Sequence, residues 1–150
     1  MSIPTQVLPD HHRHCDDLFV AAEESAQRGD WAAAAPAFKR FQDQMTAHFA
    51  AEEELLFPAF EAATGMSAGP TQMMRHEHEQ MRSLLSQLAA ACDAHDGDSY
   101  DGVGETLLML MQQHNMKEEN ILYPMCDQAL GAQAQSLAAK IGATLEKGHA

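Results

Sequence analysis

Basic residues are scarce in this chain. Nine Lys and Arg stand against 22 Asp and Glu in 150 residues, giving a formal net charge of −13 and a pI near 4.9. Such a field repels phosphate backbones and acidic lipid surfaces, so no nucleic-acid and no membrane partner is expected. Glycine and proline number only 9 and 6, too few for a low-complexity chain, and folding throughout is expected. No run approaches the roughly 18 apolar residues of a membrane span. Residues 1–10 lack the basic start and apolar stretch of a secretion signal, so a cytoplasmic location is expected. Cysteine is limited to Cys15, Cys92 and Cys126 without Cys-x-x-Cys spacing, which supports neither a disulfide framework nor a thiolate metal knuckle. No segment alternates with period two for long enough to argue a strand. At 16.4 kDa the expectation is one domain over 1–150.

Histidine, by contrast, is plentiful, with nine copies, and imidazole is the commonest side-chain ligand of borderline transition metals. Their placement repeats. A shift of 66 residues lays Pro4-Thr5-Gln6 on Pro70-Thr71-Gln72, His12 on His78, Leu18 on Leu84, Asp30 on Asp96 and Met45 on Met111. The same shift lays His48 on His114, Glu52-Glu53 on Glu118-Glu119, Leu56 on Leu122 and Pro58 on Pro124. The repeats cover about 4–65 and 70–131.

Each half reads as two helices. His12, Cys15, Phe19, Ala22 and Ala26 form the apolar stripe of the first helix, which Gln27-Arg28-Gly29-Asp30 breaks. Asp30 is the expected N-cap of a second helix to about Ala63, with Phe38, Phe41, Met45, His48, Glu52 and Leu55 inward. Pro36 is expected in an irregular first turn, and Pro58 is expected to kink this helix. Residues 64–69 form the turn to a third helix that opens on Pro70 and turns Met74, His78, Met81, Leu85, Leu88 and Cys92 inward. The fourth is expected from about Ser99 to Leu130, with Leu107, Met111, His114, Glu118, Ile121 and Met125 inward and Gly131 as C-cap. Leu137, Ile141 and Leu145 mark a short appended fifth helix. The expected fold is all-α: an up-down-up-down four-helix bundle with an internal two-fold repeat.

A His and a Glu four residues apart share one helix face. Two such pairs, His48 with Glu52 and His114 with Glu118, face His12 and His78 across the bundle. His11 and His14 compete with His12, and His76 with His78; the 66-residue register selects His12, and the apolar stripe through Met81 and Leu85 selects His78. Six polar groups in an apolar core each cost about 1–3 kcal/mol if unpaired. Two ions bridged by Glu52 and Glu118, each holding two imidazoles, would satisfy all six. Imidazole with carboxylate suits iron first, then manganese or zinc. An oxo- or hydroxo-bridged octahedral pair leaves about two positions for dioxygen, nitric oxide or peroxide.

Other groups read as supporting or structural. His11, His14, His76, His95 and His149 are expected to be solvated or behind the ligands. Glu53 and Glu119 are rotated about 100° from the ligand glutamates and are expected at the surface or behind the ligands. Asp16 reads as solvated and Cys15 as a small buried hydrophobe. Met45, Met74, Met81 and Met111 read as core. Tyr123 lies nine residues, half a rotation, from His114, and is expected to face away from the site.

The motifs His48-Phe-Ala-Ala-Glu52-Glu53-Glu54-Leu-Leu-Phe-Pro58 and His114-Asn-Met-Lys-Glu118-Glu119-Asn-Ile-Leu-Tyr-Pro124, led by Asp10–Cys15 and Arg75–Glu79, resemble the hemerythrin family in its bacterial HHE cation-binding branch. The resemblance spans about Pro9 to Gly131 and implies a four-helix bundle around a non-heme, oxygen-bridged di-iron centre. Met74 and Arg82 stand where oxygen carriers of the family pair a second histidine with the one at His78. The four-His, two-Glu set is more similar to the family's nitric-oxide-binding and iron-sulfur-cluster repair members. Ferritin-like bundles instead use Glu-x-x-His pairs and a carboxylate-rich set. The expected function is binding of a diatomic ligand for sensing, storage or detoxification. Peroxide or nitric oxide turnover, iron donation for cluster repair, and a structural metal staple are the alternatives.

Overall fold

The computed structural model describes residues 3–147, so His149 lies outside the described residues. The chain runs through α1 (Pro4–Gln27), α2 (Trp31–Ala51), a π turn π1 (Glu52–Leu56), α3 (Phe57–Thr64) and α4 (Pro70–Asp93). It continues through α5 (Gly97–Lys117), a second π turn π2 (Glu118–Leu122), α6 (Tyr123–Leu130) and α7 (Gln133–Lys147). Because α2-π1-α3 and α5-π2-α6 are continuous rods, the architecture is an all-α bundle of four long rods with a short C-terminal helix, and no strand occurs among the described residues.

Local sequence sets the ends. Asp30 and Asp96 cap α2 and α5 by accepting from the N–H of Ala33 at 3.2 Å and of Ser99 at 3.1 Å. The fourth rod thus starts at Gly97, two residues before the expected Ser99, because Asp96 serves as its cap. Pro70 occupies the first turn of α4, where its missing N–H costs nothing. Pro36 lies inside α2, past its first turn.

A π turn precedes Pro58, where the kink is expected, and Pro124 in the same register. Just before each one the hydrogen-bond ladder steps back by five residues, from the Phe57 N–H to the Glu52 carbonyl and from the Tyr123 N–H to the Glu118 carbonyl. A π turn holds roughly one residue more than an α turn, so the inward face slips by one position beyond it. Leu56, Leu122 and Cys126 are therefore buried. Leu55 and Met125, both expected inward, are only half-buried, and Ile121, also expected inward, is 57% exposed.

Two apolar clusters result, one on each side of a polar layer. The first is built on Cys15, Phe19, Phe41, Met45, Met81, Leu85, Leu107 and Met111. The second is built on Leu8, Leu56, Phe57, Phe60, Met74, Leu122, Tyr123 and Cys126, with Ile141 and Leu145 of α7 closing its end. Along α1 the order is Leu8, His12, Cys15, and along α4 it is Met74, His78, Met81, so each helix crosses from one cluster to the other through a histidine. Thr5 bonds Asp127 and Thr71 bonds Glu61, a cross-linked pair that obeys the same 66-residue register.

Candidate metal centre

The polar layer contains His12, His48, Glu52, His78, His114 and Glu118, all buried. They form two imidazole pairs. His12 and His48 have ring centroids 4.6 Å apart, and His78 and His114 have theirs 5.0 Å apart. Each carboxylate reaches both pairs: Glu52 Oε1 is 3.6 Å from His48 Nε2 and 3.0 Å from His78 Nε2. Glu118 Oε1 is 3.1 Å from His12 Nε2 and 3.2 Å from His114 Nε2. The donor atoms of Glu52, His78, His114 and Glu118 lie within 4.8 Å of one another, as do those of His12, His48 and Glu118.

All four Nε2 atoms point inward because all four Nδ1 atoms are engaged from outside. Nδ1 of His12 bonds Glu119 at 2.7 Å, that of His78 bonds Glu53 at 2.7 Å, and that of His114 bonds Glu77 at 2.7 Å. A carboxylate accepts, so each Nδ1 carries a proton and Nε2 is the nitrogen left to present a lone pair in the neutral ring. His48 reaches the same state through a neutral relay. His11 Nε2 donates to Gln44 Oε1 at 2.7 Å, which frees His11 Nδ1 to accept from His48 Nδ1 at 2.9 Å.

The arrangement leaves buried polar atoms without partners. Glu52 Oε1, Glu118 Oε2, His78 Nε2 and His114 Nε2 make no hydrogen bond. Orphaned donors and acceptors in an apolar core are costly. A set of imidazole lone pairs and carboxylate oxygens converging on one space is what a divalent transition ion requires, and these residues fit a metal site.

Charge in the layer follows burial and partner. Burial works against the imidazolium everywhere; at His12 the bonds to Glu118 and Glu119 overcome it and raise the ring to about 9. At His114, Glu118 and Glu77 overcome burial and raise the ring to about 10. His48, fully enclosed, is lowered by burial despite Glu52, and His11 falls to about 3 through burial and the neighbouring His48. Glu77 drops to about 2 through its bond to His114. Glu53 also drops to about 2, where His78 and Arg82 outweigh burial. Burial pushes the Cys15 thiol up to about 12, and the thiol lies 3.7 Å from His11 Nδ1, consistent with a packed hydrophobe.

Tyr123 does not face away from this layer. Its hydroxyl donates to Glu52 Oε2 at 2.6 Å or Glu118 Oε1 at 2.8 Å, and sits 3.2 Å from His12 Nε2. The half-rotation count from His114 assumed an unbroken α-helix; the extra residue in π2 turns Tyr123 inward. The doubled acidic-then-proline pattern at 52–58 and 118–124 is the signal that could have found it.

His11 and Glu77 were also missed as a pair, although they are 66 residues apart and stand behind His48 and His114. Glu53 and Glu119 stand behind imidazoles of the opposite half, His78 and His12. Asp16 and His14 are half-buried, and His76 and His95 are exposed.

Comparisons with known proteins agree with this geometry. The iron-sulfur cluster repair protein YtfE of Musicola paradisiaca (strain Ech703) is 31% identical over 140 residues, covering 81% of this chain and 63% of that protein. This chain therefore spans less than two thirds of that relative's length. No solved structure gives a significant match. The hemerythrin HHE cation binding domain matches residues 3–126, a span that holds every donor of the polar layer, and the chain belongs to that family.

Proposed function

We propose that this chain is a non-heme di-iron protein whose centre binds a small diatomic ligand, dioxygen or nitric oxide. The observation that carries the reading is the pairing of His12 with His48 and His78 with His114, with Glu52 and Glu118 each lying between the pairs. A bound iron pair supplies electrons and open coordination positions. The chain's own residues do the rest: Glu119, His11, Glu53 and Glu77 fix the imidazole orientations, and Phe49 and Phe57, stacked on His78 at 4.4 and 5.7 Å, keep water from that ring. The Tyr123 hydroxyl holds a proton between the two carboxylates.

The test is to load the protein anaerobically with ferrous iron, count ions per chain, and add dioxygen or nitric oxide while recording visible spectra. Two irons and a reproducible ligand-dependent band are expected. A single redox-inert ion would make the centre a structural staple instead.

A second reading, iron donation in iron-sulfur cluster repair, is favoured by the name of the Musicola relative. It is tested by incubating the iron-loaded protein with a cluster-depleted acceptor protein and following recovery of the acceptor's spectrum. Recovery without free iron in solution supports donation.

A further inference from the structure

The same register that makes the centre symmetrical exposes a difference in how its two sides are covered. In the second half, Arg82 bonds Glu53 at 2.8 and 3.0 Å and lies 5.1 Å over the Phe49 ring, which itself stacks on His78. Guanidinium and rings together close the His78–Glu53 side. On the His12–Glu119 side the register counterpart of Arg82 is Asp16, and that of Phe49 is Asn115. The order of charge on the outer face is inverted, Arg13 then Asp16 against Glu79 then Arg82. Arg82 reaches across to Glu53, whereas Arg13 pairs back along its own helix with Asp10. Among the described residues no guanidinium bonds Glu119, whose side chain is 35% exposed against 21% for Glu53.

The consequence is a surface groove of about 450 Å³ that runs between α1 and the α5–π2 rod and reaches His12 itself. Asp16, Glu119, Gln112, Asn115 and Asn120 line it beside Met116 and Arg13, whose charge is paired with Asp10. Carboxylate and amide oxygens are the ligands that a partly hydrated divalent cation accepts in transit.

We propose that the groove ending on His12 and Glu119 is the exchange route of the centre, and that the His12–His48 position takes up and releases its divalent cation while the His78–His114 position retains its own. This inference rests on the paired-ion reading above. It makes the centre one retained ion beside one exchangeable ion, with a ferrous cation as the cargo of the groove. No redox step is involved; on uptake the cation displaces the Nε2 proton of His12 to solvent and meets the Nε2 lone pairs of His12 and His48.

The experiment uses the full chain loaded anaerobically with ferrous iron, mixed with excess of a coloured ferrous chelator, with chelate absorbance followed in time. Two phases of equal amplitude are expected, separated by at least about tenfold in rate. The double variant R13E/D16R gives the first half the charge order of the second and is expected to slow the fast phase. The double variant E79R/R82D is expected to accelerate the slow phase. Asn115→Phe, which copies the Phe49 ring, is expected to slow the fast phase and serves if the charge swap does not fold. Two ions leaving in one phase would overturn the inference alone. A fast phase that ignores both R13E/D16R and Asn115→Phe, or that responds to E79R/R82D instead, would also overturn it. Uptake of one ion per chain would sink the paired-ion reading and this inference with it.

Discussion

His48 and His114 occupy the same register position in the two halves, yet His48 rests on the imidazole of His11 while His114 rests on the carboxylate of Glu77, itself bonded to Lys117 at 2.5 Å. Phe57 and Tyr123 are a second such pair, one stacked apolar on His78, the other placing its hydroxyl between the two glutamates. The backbone plan is thus duplicated while the electrostatics are not. Geometry of a metal site is fixed by where the donors start on their helices, and its electronic character by the residues behind them, which can diverge without moving a single ligand.

The largest test of this contrast is removal of the proposed ligands themselves. In the metal-free protein His114 is charged and paired with Glu118 and Glu77, so His114→Ala should cost about 3–5 kcal/mol in chemical denaturation. His48 is neutral, and His48→Ala should cost about 1–3 kcal/mol. Both should lower bound metal; equal losses of stability would erase the distinction between the halves.

Tyr123→Phe converts the second half to the residue of the first. It should destabilise the metal-free protein by about 1.5–3 kcal/mol, because the hydroxyl's bond to a buried carboxylate is lost. Glu77→Gln should weaken metal binding by about 10–100-fold in a competition titration. His11→Gln, which removes no charge, should weaken it less. Asp30→Ala and Asp96→Ala touch a feature the halves share, and each should lower stability by about 1 kcal/mol; clearly unequal losses would show that the caps have diverged too.

The gentlest probe is pH. In the metal-free protein the folded values of His12 and His114 are raised above the ordinary 6.5, to about 9 and about 10. Their stabilisation is therefore complete below about 6.5 and lost as pH climbs through 9 and 10. His11 is lowered to about 3, so protonating it favours the unfolded chain as pH falls from 6.5 toward 3. Melting temperature should peak near neutrality without metal. With metal it should instead hold as pH rises, since the ion competes with protons for Nε2.

Much of this molecule is legible before folding. The shift of 66 residues, the caps at Asp30 and Asp96 and the stripes up to Met45 and Met111 follow from periodicity alone, and so does the convergence of the six donors. Reading fails beyond Glu52 and Glu118, where Leu55, Ile121, Met125 and Tyr123 were all placed by counting at 3.6 residues per turn. A π turn changes that count, and it announces itself only through a proline several residues later. The partners of the imidazoles were hidden for another reason. Register identifies position 11 with position 77, but it does not say that histidine and glutamate can serve the same nitrogen.

The π turns also make the chain sensitive to length in a way that substitution would not reveal. Deleting one residue, Leu55 or Ile121, would let the rod wind as uninterrupted α-helix and leave every other side chain unchanged. Everything downstream would then swing by about 100°, carrying Phe57 and Phe60, or Tyr123 and Cys126, out toward solvent. The surplus residue is thus a phase shift written into the backbone.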